Sequence, residues 1–400
     1  MGKVWLPFLC VLFPQMALAI INHGKLVLAP LYISAAGLSP ETVGIIGGLS
    51  GLGSVWFFSA NSVILPSFGP VRALIFGCFL APFGAMLLFF HQPWLIFTAA
   101  VIMGFGYAIT APAGSQILAA HTPKRLWGTL FSIRMAGVPV GGALAGLAGG
   151  SIASLYGWEI ALLVIALPAV ATGLFLAIVK GKISDSNDRV KFRFFNLFNP
   201  LNLLSPFKVL KKVPGLPLIT FVSIGYASIQ GGVFTFLTTY LMTELKMPLV
   251  LVGGLYATMQ VASFAGRISV GVLADRFFSP RSVLIILGLM GPFGIYILTI
   301  LNNNFSPFFL FPAMALIGVS IASWNGLFMT EVTNVAQNHD VSEATSASTF
   351  FTFITYMLAP LVFGFIALSY GYKYAFYSVG ACGLASVVAL LIKAFKERTK

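Results

Sequence analysis

The stretch GVLADRFFSPR, residues 271–281, joins two long apolar runs, 248–273 and 280–301. Each run has about 20 residues or more, which is the length that a helix needs to cross the hydrocarbon core of a bilayer. The stretch between them carries Asp275, Arg276 and Arg281. It therefore predicts a short charged loop between two transmembrane helices.

The composition of the whole chain agrees with a bilayer as its solvent. Hydrophobic residues make up 58% of the 400 residues, charged residues only 8%, and the mean hydropathy is +0.96. Ordinary soluble domains contain about 25% charged residues, so this chain cannot cover its surface for water. Cys10, Cys78 and Cys382 all lie in apolar runs, and we expect no disulfide, metal centre or cofactor.

The same length criterion applied along the chain predicts an all-α membrane protein with twelve transmembrane helices. Residues 1–19 have some features of a secretory signal, but the apolar run continues to about Ala36, so we expect a first transmembrane helix instead. The twelve predicted segments are 5–36, 40–64, 70–91, 93–120, 126–155, 158–180, 215–244, 248–273, 280–301, 306–336, 342–369 and 372–394.

The basic residues predict the orientation. The formal net charge is +13, and most of the 23 Lys and Arg lie on one side, in the loops that share a side with both chain ends. The loops on the other side hold only Lys246 and Lys373. By the positive-inside rule, both termini are expected in the cytoplasm. This placement accounts for the excess charge without a nucleic-acid partner.

An internal repeat divides the chain. Residues 39–48 and 65–74 resemble 247–255 and 274–284, and 102–112 resemble 316–326. We therefore predict a six-helix half over 1–180, a basic cytoplasmic linker over 181–214 and a second six-helix half over 215–400. Within the linker, FRFFNLFNPLNLL (192–204) has the mixture of aromatic and basic residues typical of an interfacial segment.

With these features in place, residues 271–281 resemble the loop signature of the major facilitator superfamily, which follows the second helix of each half. GVPVGGALAGLAGG (137–150) also resembles the glycine-rich fifth helix of that family. The resemblance implies a secondary transporter that works by alternating access. The signature positions are Gly271, Leu273, Ala274, Asp275, Arg276 and Arg281.

The equivalent loop of the first half, SVILPSFGPVR (62–72), lacks the acidic residue. Gly271 would permit close helix approach, and Asp275 could accept hydrogen bonds at a neighbouring helix N-terminus. We infer an asymmetric cytoplasmic gate that the second half supplies. Its charged latch would consist of Asp275, Arg276, Arg281 and Glu331; the alternative is that these are solvated loop charges.

Three basic residues, Lys25, Arg134 and Arg267, lie inside predicted spans, where a charge costs at least about 2.5–3.5 kcal/mol. Lys25 lies 11 residues before Ala36, which places it about 16 Å from the outer surface. No Asp or Glu lies deep in any predicted span. Buried cations without buried acids favour an anionic substrate over a cationic one.

A narrower resemblance concerns the monocarboxylate transporters, with a Lys on the first helix and an Arg on the eighth; oxalate/formate-type exchangers share the Arg. Lys25 and Arg267 occupy these positions, which implies that both bind a carboxylate, with Arg134 adding to the positive potential. The monocarboxylate pattern has an Asp four residues before the Arg, where this chain has Ser263. His23 is therefore the candidate for proton coupling.

Each of these residues has a structural alternative. Arg267 could brace its own loop, and Lys25 could extend toward the membrane surface. Arg134 could bond to carbonyls around Gly137–Pro139, and His23 could serve only in helix contact. Further pocket candidates are polar or aromatic residues in the predicted spans: Asn22, Tyr107, Thr110, Tyr226, Gln230, Trp324, Asn325 and Tyr356.

Taken together, the sequence predicts a multi-pass protein of the plasma membrane, or bacterial inner membrane. We expect it to be a monomer surrounded by lipid that carries a small organic anion, by proton symport or by anion exchange. Two alternatives remain open, a transporter of neutral solutes or drugs and a receptor or scaffold without transport. No constellation of residues typical of an enzyme occurs.

Overall fold

The computed structural model of the protein describes residues 2–123, 126–183, 201–302, 304–337 and 341–398. Within these ranges every regular element is a helix, and no strand occurs. The α-helices are α1 (Gly2–Val27), α2 (Ala29–Ala35), α3 (Val43–Phe68), α4 (Pro70–Met86), α5 (Pro93–Ala108), α6 (Thr110–His121), α7 (Trp127–Tyr156), α8 (Trp158–Val179), α9 (Leu201–Lys212), α10 (Leu216–Thr243), α11 (Leu249–Arg276), α12 (Pro280–Ile300), α13 (Pro307–Ala322), α14 (Asn325–Val335), α15 (Val341–Tyr370) and α16 (Tyr372–Arg398).

The prediction of twelve transmembrane helices is confirmed. Among the described residues, twelve helical stretches are long and apolar enough to cross a membrane. Their bounds follow the predicted segments closely, for example Pro93–His121 for 93–120 and Pro280–Ile300 for 280–301. The hydropathy pattern is therefore sufficient to locate the spans.

Two predicted segments are divided where a proline removes a backbone donor. The first segment, expected to be one helix over 5–36, splits into α1 and α2, with Pro30 at the start of α2. The fourth splits into α5 and α6, and Pro112 lies in the first turn of α6. Because proline has no N–H, the carbonyl four residues earlier loses its helical partner in each case. The tenth segment also divides, between α13 and α14, without a proline at the break.

By contact density the chain forms two compact units. The first unit comprises Met1–Ser39, Leu49–Pro200 and Leu249–Ala257. In it α1 packs against α7 and α8. A Cβ atom added to Gly146 of α7 would lie 2.7 Å from the carbonyl oxygen of Gly253, so only glycine permits this backbone approach.

The second unit comprises Pro40–Gly48, Leu201–Pro248 and Thr258–Lys400. Its central helix is α10, which packs along α15 and α16 and is largely buried. Aromatic rings fill part of this interior, with Phe236 stacked on Phe363 at a centroid distance of 4.3 Å.

The internal repeat of the sequence has a counterpart in the packing of each unit. In the first unit, a Cβ atom on Gly104 would lie 2.0 Å from the carbonyl oxygen of Ser50. In the second, a Cβ atom on Gly318 would lie 2.0 Å from the carbonyl oxygen of Met259. These two glycines occupy the same position in the repeated segments 102–112 and 316–326. Glycine is thus required where the same two helices of each repeat cross.

The linker contains one described helix, α9. Most of the predicted interfacial segment, 192–204, lies outside the described residues, and α9 begins at Leu201. Val209 of α9 and Val213 beyond its end are buried in a cluster that also contains Phe328 and Ala344. The linker is therefore anchored to the second unit through this helix.

Candidate functional site

Lys25 lies in the last turn of α1 and is only 1% exposed. Its Nζ donates a hydrogen bond to Asn22 Oδ1 at 2.7 Å and another to Ser50 Oγ. Both acceptors are neutral, and no described carboxylate contacts the ammonium group. The C-terminal end of a helix carries partial negative charge, which offsets part of the cost of burying this cation.

The Lys25 carbonyl also has a partner, because Tyr32 Oη donates to it at 2.9 Å. Tyr32 belongs to α2, so this bond crosses the break that follows Val27. The Lys25 carbonyl at the end of α1 thus has a hydrogen-bond donor on α2, while the Lys25 side chain bonds to Ser50 on α3.

His23 lies on α1 beside Lys25 and is 4% exposed. Its Nδ1 is 2.7 Å from the hydroxyl oxygen of Tyr256, which is fully buried. Which atom donates depends on the histidine tautomer. Tyr256 belongs to the part of α11 that packs in the first unit. The sequence gives no signal for Tyr256, because one tyrosine in an apolar helix resembles many others.

Arg134 of α7 is 2% exposed and is surrounded by neutral oxygens. Its Nη2 donates to Gln15 Oε1 at 3.2 Å and to the carbonyls of Thr110 and Ala111 at 3.1 and 3.0 Å, and its Nη1 donates to Ser115 Oγ at 3.1 Å. The carbonyls lie at the start of α6, beside the break in the fourth span, and not around Gly137–Pro139. Arg134 thus ties α7 to α1 and α6.

The break in the fourth span also places Tyr107 and Thr110 together. Thr110 Oγ1 donates to the carbonyl oxygen of Tyr107 at 2.8 Å. Thr110 is 2% exposed, whereas Tyr107 is half-buried. This bond is local and joins the last turn of α5 to the first residue of α6.

Arg267 of α11 is half-buried, and its Nε donates to the carbonyl oxygen of Ala322 at 3.0 Å. Ala322 is the last residue of α13, where the helix ends without a proline. A helix end leaves carbonyls without helical partners, and such groups need another donor. Arg267 supplies that donor at the break in the tenth span.

Three predicted pocket residues meet at the side-chain oxygen of Gln230. Trp324 Nε1 donates to Gln230 Oε1 at 3.0 Å, and Tyr356 Oη donates to the same oxygen at 2.8 Å. The three residues come from α10, from the break between α13 and α14, and from α15. Trp324 is fully buried, and the Tyr226 ring stacks on it at 5.5 Å. Asn325, the first residue of α14, is half-buried beside this group.

Two hydroxyl groups near Arg267 are buried without a hydrogen-bond partner among the described residues. They are Ser263 Oγ, four residues earlier on α11, and Ser323 Oγ, at the break. A Cβ atom on Gly266 would lie 2.3 Å from Ser323 Oγ, so α11 and the break are in direct contact. Unpaired buried hydroxyls cost free energy and are uncommon in folded proteins.

Two of the four residues of the predicted latch form an ion pair in the second unit. Arg281 Nε and Glu331 Oε2 form an ion pair at 3.4 Å, and Asn334 Nδ2 donates to Glu331 Oε1 at 3.3 Å. Glu331 is 4% exposed, although its partner Arg281 is only half-buried. The pair joins the start of α12 to α14.

The other latch residues lie differently. Asp275 and Arg276 are exposed at the end of α11. The N-terminus of α12 is capped by Ser279, whose Oγ accepts from the Ser282 N–H at 3.2 Å, rather than by Asp275. A Cβ atom on Gly271 would meet no described atom within 4 Å. The expected close helix approach at Gly271 is therefore wrong for this arrangement of the chain.

The candidate residues fall into both units. Asn22, His23, Lys25, Tyr107 and Arg134 belong to the first, whereas Gln230, Arg267, Trp324, Asn325 and Tyr356 belong to the second, as do the latch residues. Some of them are bonded to one another, as Lys25 is to Asn22 in the first unit and as Trp324 and Tyr356 are to Gln230 in the second.

Comparison with known proteins places these groups in a wider context. The sequence profile of the Major Facilitator Superfamily matches residues 11–355. A comparison with curated protein sequences finds no match.

Solved structures with the same fold include two of a bacterial homolog to the human lysosomal transporter Spinster, both inward-facing. The unoccupied form has a TM-score of 0.73 at 15% identity and covers 98% of this chain and 95% of that chain. The occupied form has the same TM-score at 13% identity and covers 98% and 97%. The nucleoside transporter NupG has a TM-score of 0.70 at 14% identity and covers 96% and 99%. The TM-scores and the coverage show a shared fold.

Proposed function

Because the chain belongs to the major facilitator superfamily, we propose that it carries a small organic anion, a carboxylate, across a membrane by alternating access. Transporter function follows from the family and from the fold of its structural neighbours. The class of substrate rests on the charged side chains of this chain.

The observation that carries the proposal is the burial of Lys25 with two neutral partners. An ammonium group inside a membrane protein costs at least about 2.5–3.5 kcal/mol, so such residues are usually functional. Asn22 and Ser50 can accept its hydrogen bonds but cannot neutralise its charge. A substrate carboxylate would supply the missing negative charge, and it would exchange one of these neutral acceptors for an ionic one.

Arg267 is the second proposed substrate ligand. Its planar guanidinium can hold a carboxylate by two parallel hydrogen bonds, which an ammonium group cannot do. Its Nε donates to the Ala322 carbonyl oxygen, which holds the guanidinium group at the break in the tenth span. Arg134 adds positive potential in the first unit, with its charge surrounded by neutral oxygens.

Size and shape selectivity would come from the polar and aromatic side chains of the two units. In the second unit these are Gln230, Trp324, Tyr356 and Asn325, and in the first they are Tyr107 and Asn22. Joint hydrogen bonding at Gln230 fixes the two rings, and a pre-organised pocket loses less conformational entropy when it binds a ligand.

Two coupling schemes fit the proposal. In proton symport, the His23–Tyr256 pair would carry the proton, because histidine titrates near neutral pH in water. In anion exchange, a second anion would replace the first at the same cations, and no proton carrier is needed. The Arg281–Glu331 pair, with Asp275 and Arg276 nearby in sequence, would act as the cytoplasmic latch.

We place the protein in the plasma membrane, or bacterial inner membrane, as a monomer with both termini in the cytoplasm. Its excess of basic residues on the side of both termini supports this orientation. Lipid and the anionic substrate are its proposed partners.

Counterflow in proteoliposomes tests the proposal. Vesicles containing the purified protein and preloaded with unlabelled substrate take up labelled substrate only if the protein exchanges it. We expect counterflow with one or more small carboxylates and none with neutral nucleosides or sugars. The Lys25→Gln variant should lose this activity, whereas Lys246→Gln, which removes an exposed lysine, should retain it. Counterflow restricted to neutral solutes would overturn the anion assignment.

A further inference from the structure

We infer that α9 is a binding surface for the headgroups of anionic phospholipids, formed by Lys208, Lys211 and Lys212 together with Phe207. This inference goes beyond the proposed transport, because it concerns a lipid ligand on the linker helix rather than the transported anion.

One face of α9 packs against the rest of the second unit. Val209 is 4% exposed and Val213, just beyond the helix, is 2% exposed. Both pack in the hydrophobic cluster that includes Phe328 of α14 and Ala344 and Ala347 of α15. Because this apolar face is already covered, α9 cannot insert it into the membrane, and its orientation on the second unit is set.

The opposite face carries the charge. Lys208, Lys211 and Lys212 are exposed, and Phe207 is 51% exposed. Spacings of one, four and five residues from Phe207 place all four side chains on one side of an α-helix. The Phe207 ring also packs edge-on against Phe351 at 4.9 Å, which fixes its position beside the lysines. Exposed lysines interleaved with a ring are typical of helices that lie at a membrane interface.

The chain connection keeps this face close to the bilayer. The membrane-spanning helix α10 begins at Leu216, four residues after Lys212. Four extended residues reach at most about 14 Å, so Lys212 cannot lie far from the membrane surface. The headgroup layer itself is several Å thick on each side, and a lysine side chain bridges part of the remaining distance.

Among the described residues, no carboxylate forms an ion pair with these lysines. The helix sequence LNLLSPFKVLKK contains no Asp or Glu, and none of the three lysines forms an ion pair with a described residue. Each basic residue near an anionic membrane surface favours association by about fivefold. Three on one face, held rigidly by the packing of Val209 and Val213, form a surface whose complement is a cluster of lipid phosphates.

Native mass spectrometry of the protein released from nanodiscs tests this inference. The discs contain equal amounts of phosphatidylcholine and phosphatidylglycerol, and the measurement is the ratio of the two lipids that remain bound. We expect the wild-type protein to retain phosphatidylglycerol preferentially. The triple variant Lys208→Gln, Lys211→Gln, Lys212→Gln should lose at least about fivefold of this preference.

Two further variants make the result specific. Exchanging the three lysines for arginine keeps the charge, and we expect that variant to retain the lipid. Replacing Lys180, Lys182 and Lys373 by glutamine removes the same charge from other exposed positions, and we expect the wild-type preference there. An unchanged ratio in the triple variant on α9, or an equal loss in this control, would overturn the inference.

Inorganic phosphate distinguishes a lipid site from a general phosphate site. Bound phosphatidylglycerol should persist when phosphate is added before release, because a membrane holds headgroups at high local concentration. Displacement by phosphate would refute the assignment to lipid. The experiment counts bound lipid without any flux, so failure of the proposed transport would leave its result unaffected.

Discussion

Arg267 donates its Nε–H to the carbonyl oxygen of Ala322, the last residue of α13, and so joins α11 to the break in the tenth span. The residues that follow the break include Trp324, which is bonded to Gln230. The half-buried Arg267 guanidinium is therefore linked to the segment that positions the Trp324 ring. If Arg267 also binds the substrate, occupancy of the site and the geometry of the break are coupled.

Two substitutions of Arg267 distinguish the role of its positive charge from the role of its planar guanidinium group. We expect Arg267→Gln to abolish carboxylate counterflow, and Arg267→Lys to weaken it roughly tenfold, because lysine keeps the charge but loses the planar fork. Arg72→Gln, which removes an exposed arginine, is the matched control. Full counterflow by Arg267→Gln would refute substrate binding by this residue.

Exchange of Lys25 should have opposite effects on stability and activity. Lys25→Met keeps the length of the side chain and removes a buried charge that has only neutral partners. We therefore expect the free energy of unfolding to rise by about 1–3 kcal/mol, while anion counterflow is lost. Thermal unfolding in detergent and counterflow in vesicles measure the two effects. A less stable variant that still transports would contradict both parts.

The shared acceptor at Gln230 predicts an order of stabilities. Gln230→Leu leaves the buried Trp324 N–H without its acceptor, which costs about 1–3 kcal/mol, and it also removes the bond that the Tyr356 hydroxyl donates to Gln230. Tyr356→Phe removes one donor and leaves Gln230 bonded to Trp324, so its cost should be about 1 kcal/mol. Thermal unfolding measures the stability of both variants and of the wild type. Equal stability of all three proteins would show that the hydrogen bonds at Gln230 contribute little.

The Arg281–Glu331 pair predicts a change in the population of access states. Glu331→Gln removes the ion pair, and we expect faster alkylation of single cysteines placed near position 331 on α14. The native Cys382 is exposed and must first be replaced. Glu343→Gln, which removes an exposed acidic residue at the start of α15, serves as the control. Identical labelling rates in all three proteins would reduce the latch to a solvated ion pair.

The His23–Tyr256 bond distinguishes symport from exchange. If this pair carries the coupled proton, His23→Gln should abolish accumulation driven by a pH gradient but preserve counterflow, which needs no net proton movement. Tyr256→Phe removes the hydroxyl partner and should reduce the driven accumulation while counterflow continues. Wild-type accumulation that ignores the pH gradient would instead favour anion exchange.

Much of the fold can be predicted from the sequence, because a bilayer requires apolar runs of fixed length. The breaks within three of the predicted spans are harder to predict from the sequence. Pro30 and Pro112 mark two of them, but the break before Trp324 has no local signal, since it depends on an arginine 55 residues away. The same limit applies to the site. Lys25 is visible as a charge in an apolar run, whereas Tyr256 becomes meaningful only when folding brings it to His23.

The loop signature illustrates how a correct resemblance can carry a wrong physical reason. Residues 271–281 identify the family, yet Gly271 meets no described neighbour and α12 is capped by Ser279. The loop residue Arg281 instead forms an ion pair with Glu331, which is 50 residues away in sequence. Contacts of this kind depend on the arrangement of helices, and sequence spacing alone does not determine them.

The paired crossings of Gly104 over Ser50 and Gly318 over Met259 have an evolutionary consequence. If the two halves descend from one duplicated gene, both have kept the close backbone contact at the glycine. Only the second half has the positive charge of Arg267. Position 58 corresponds to Arg267 at the repeat offset of 209, the difference between 274 and 65, and it is a phenylalanine. The side chain at this position thus differs between the halves, while both halves keep the glycine where the helices cross. New substrates could arise in such a protein through changes to one half alone.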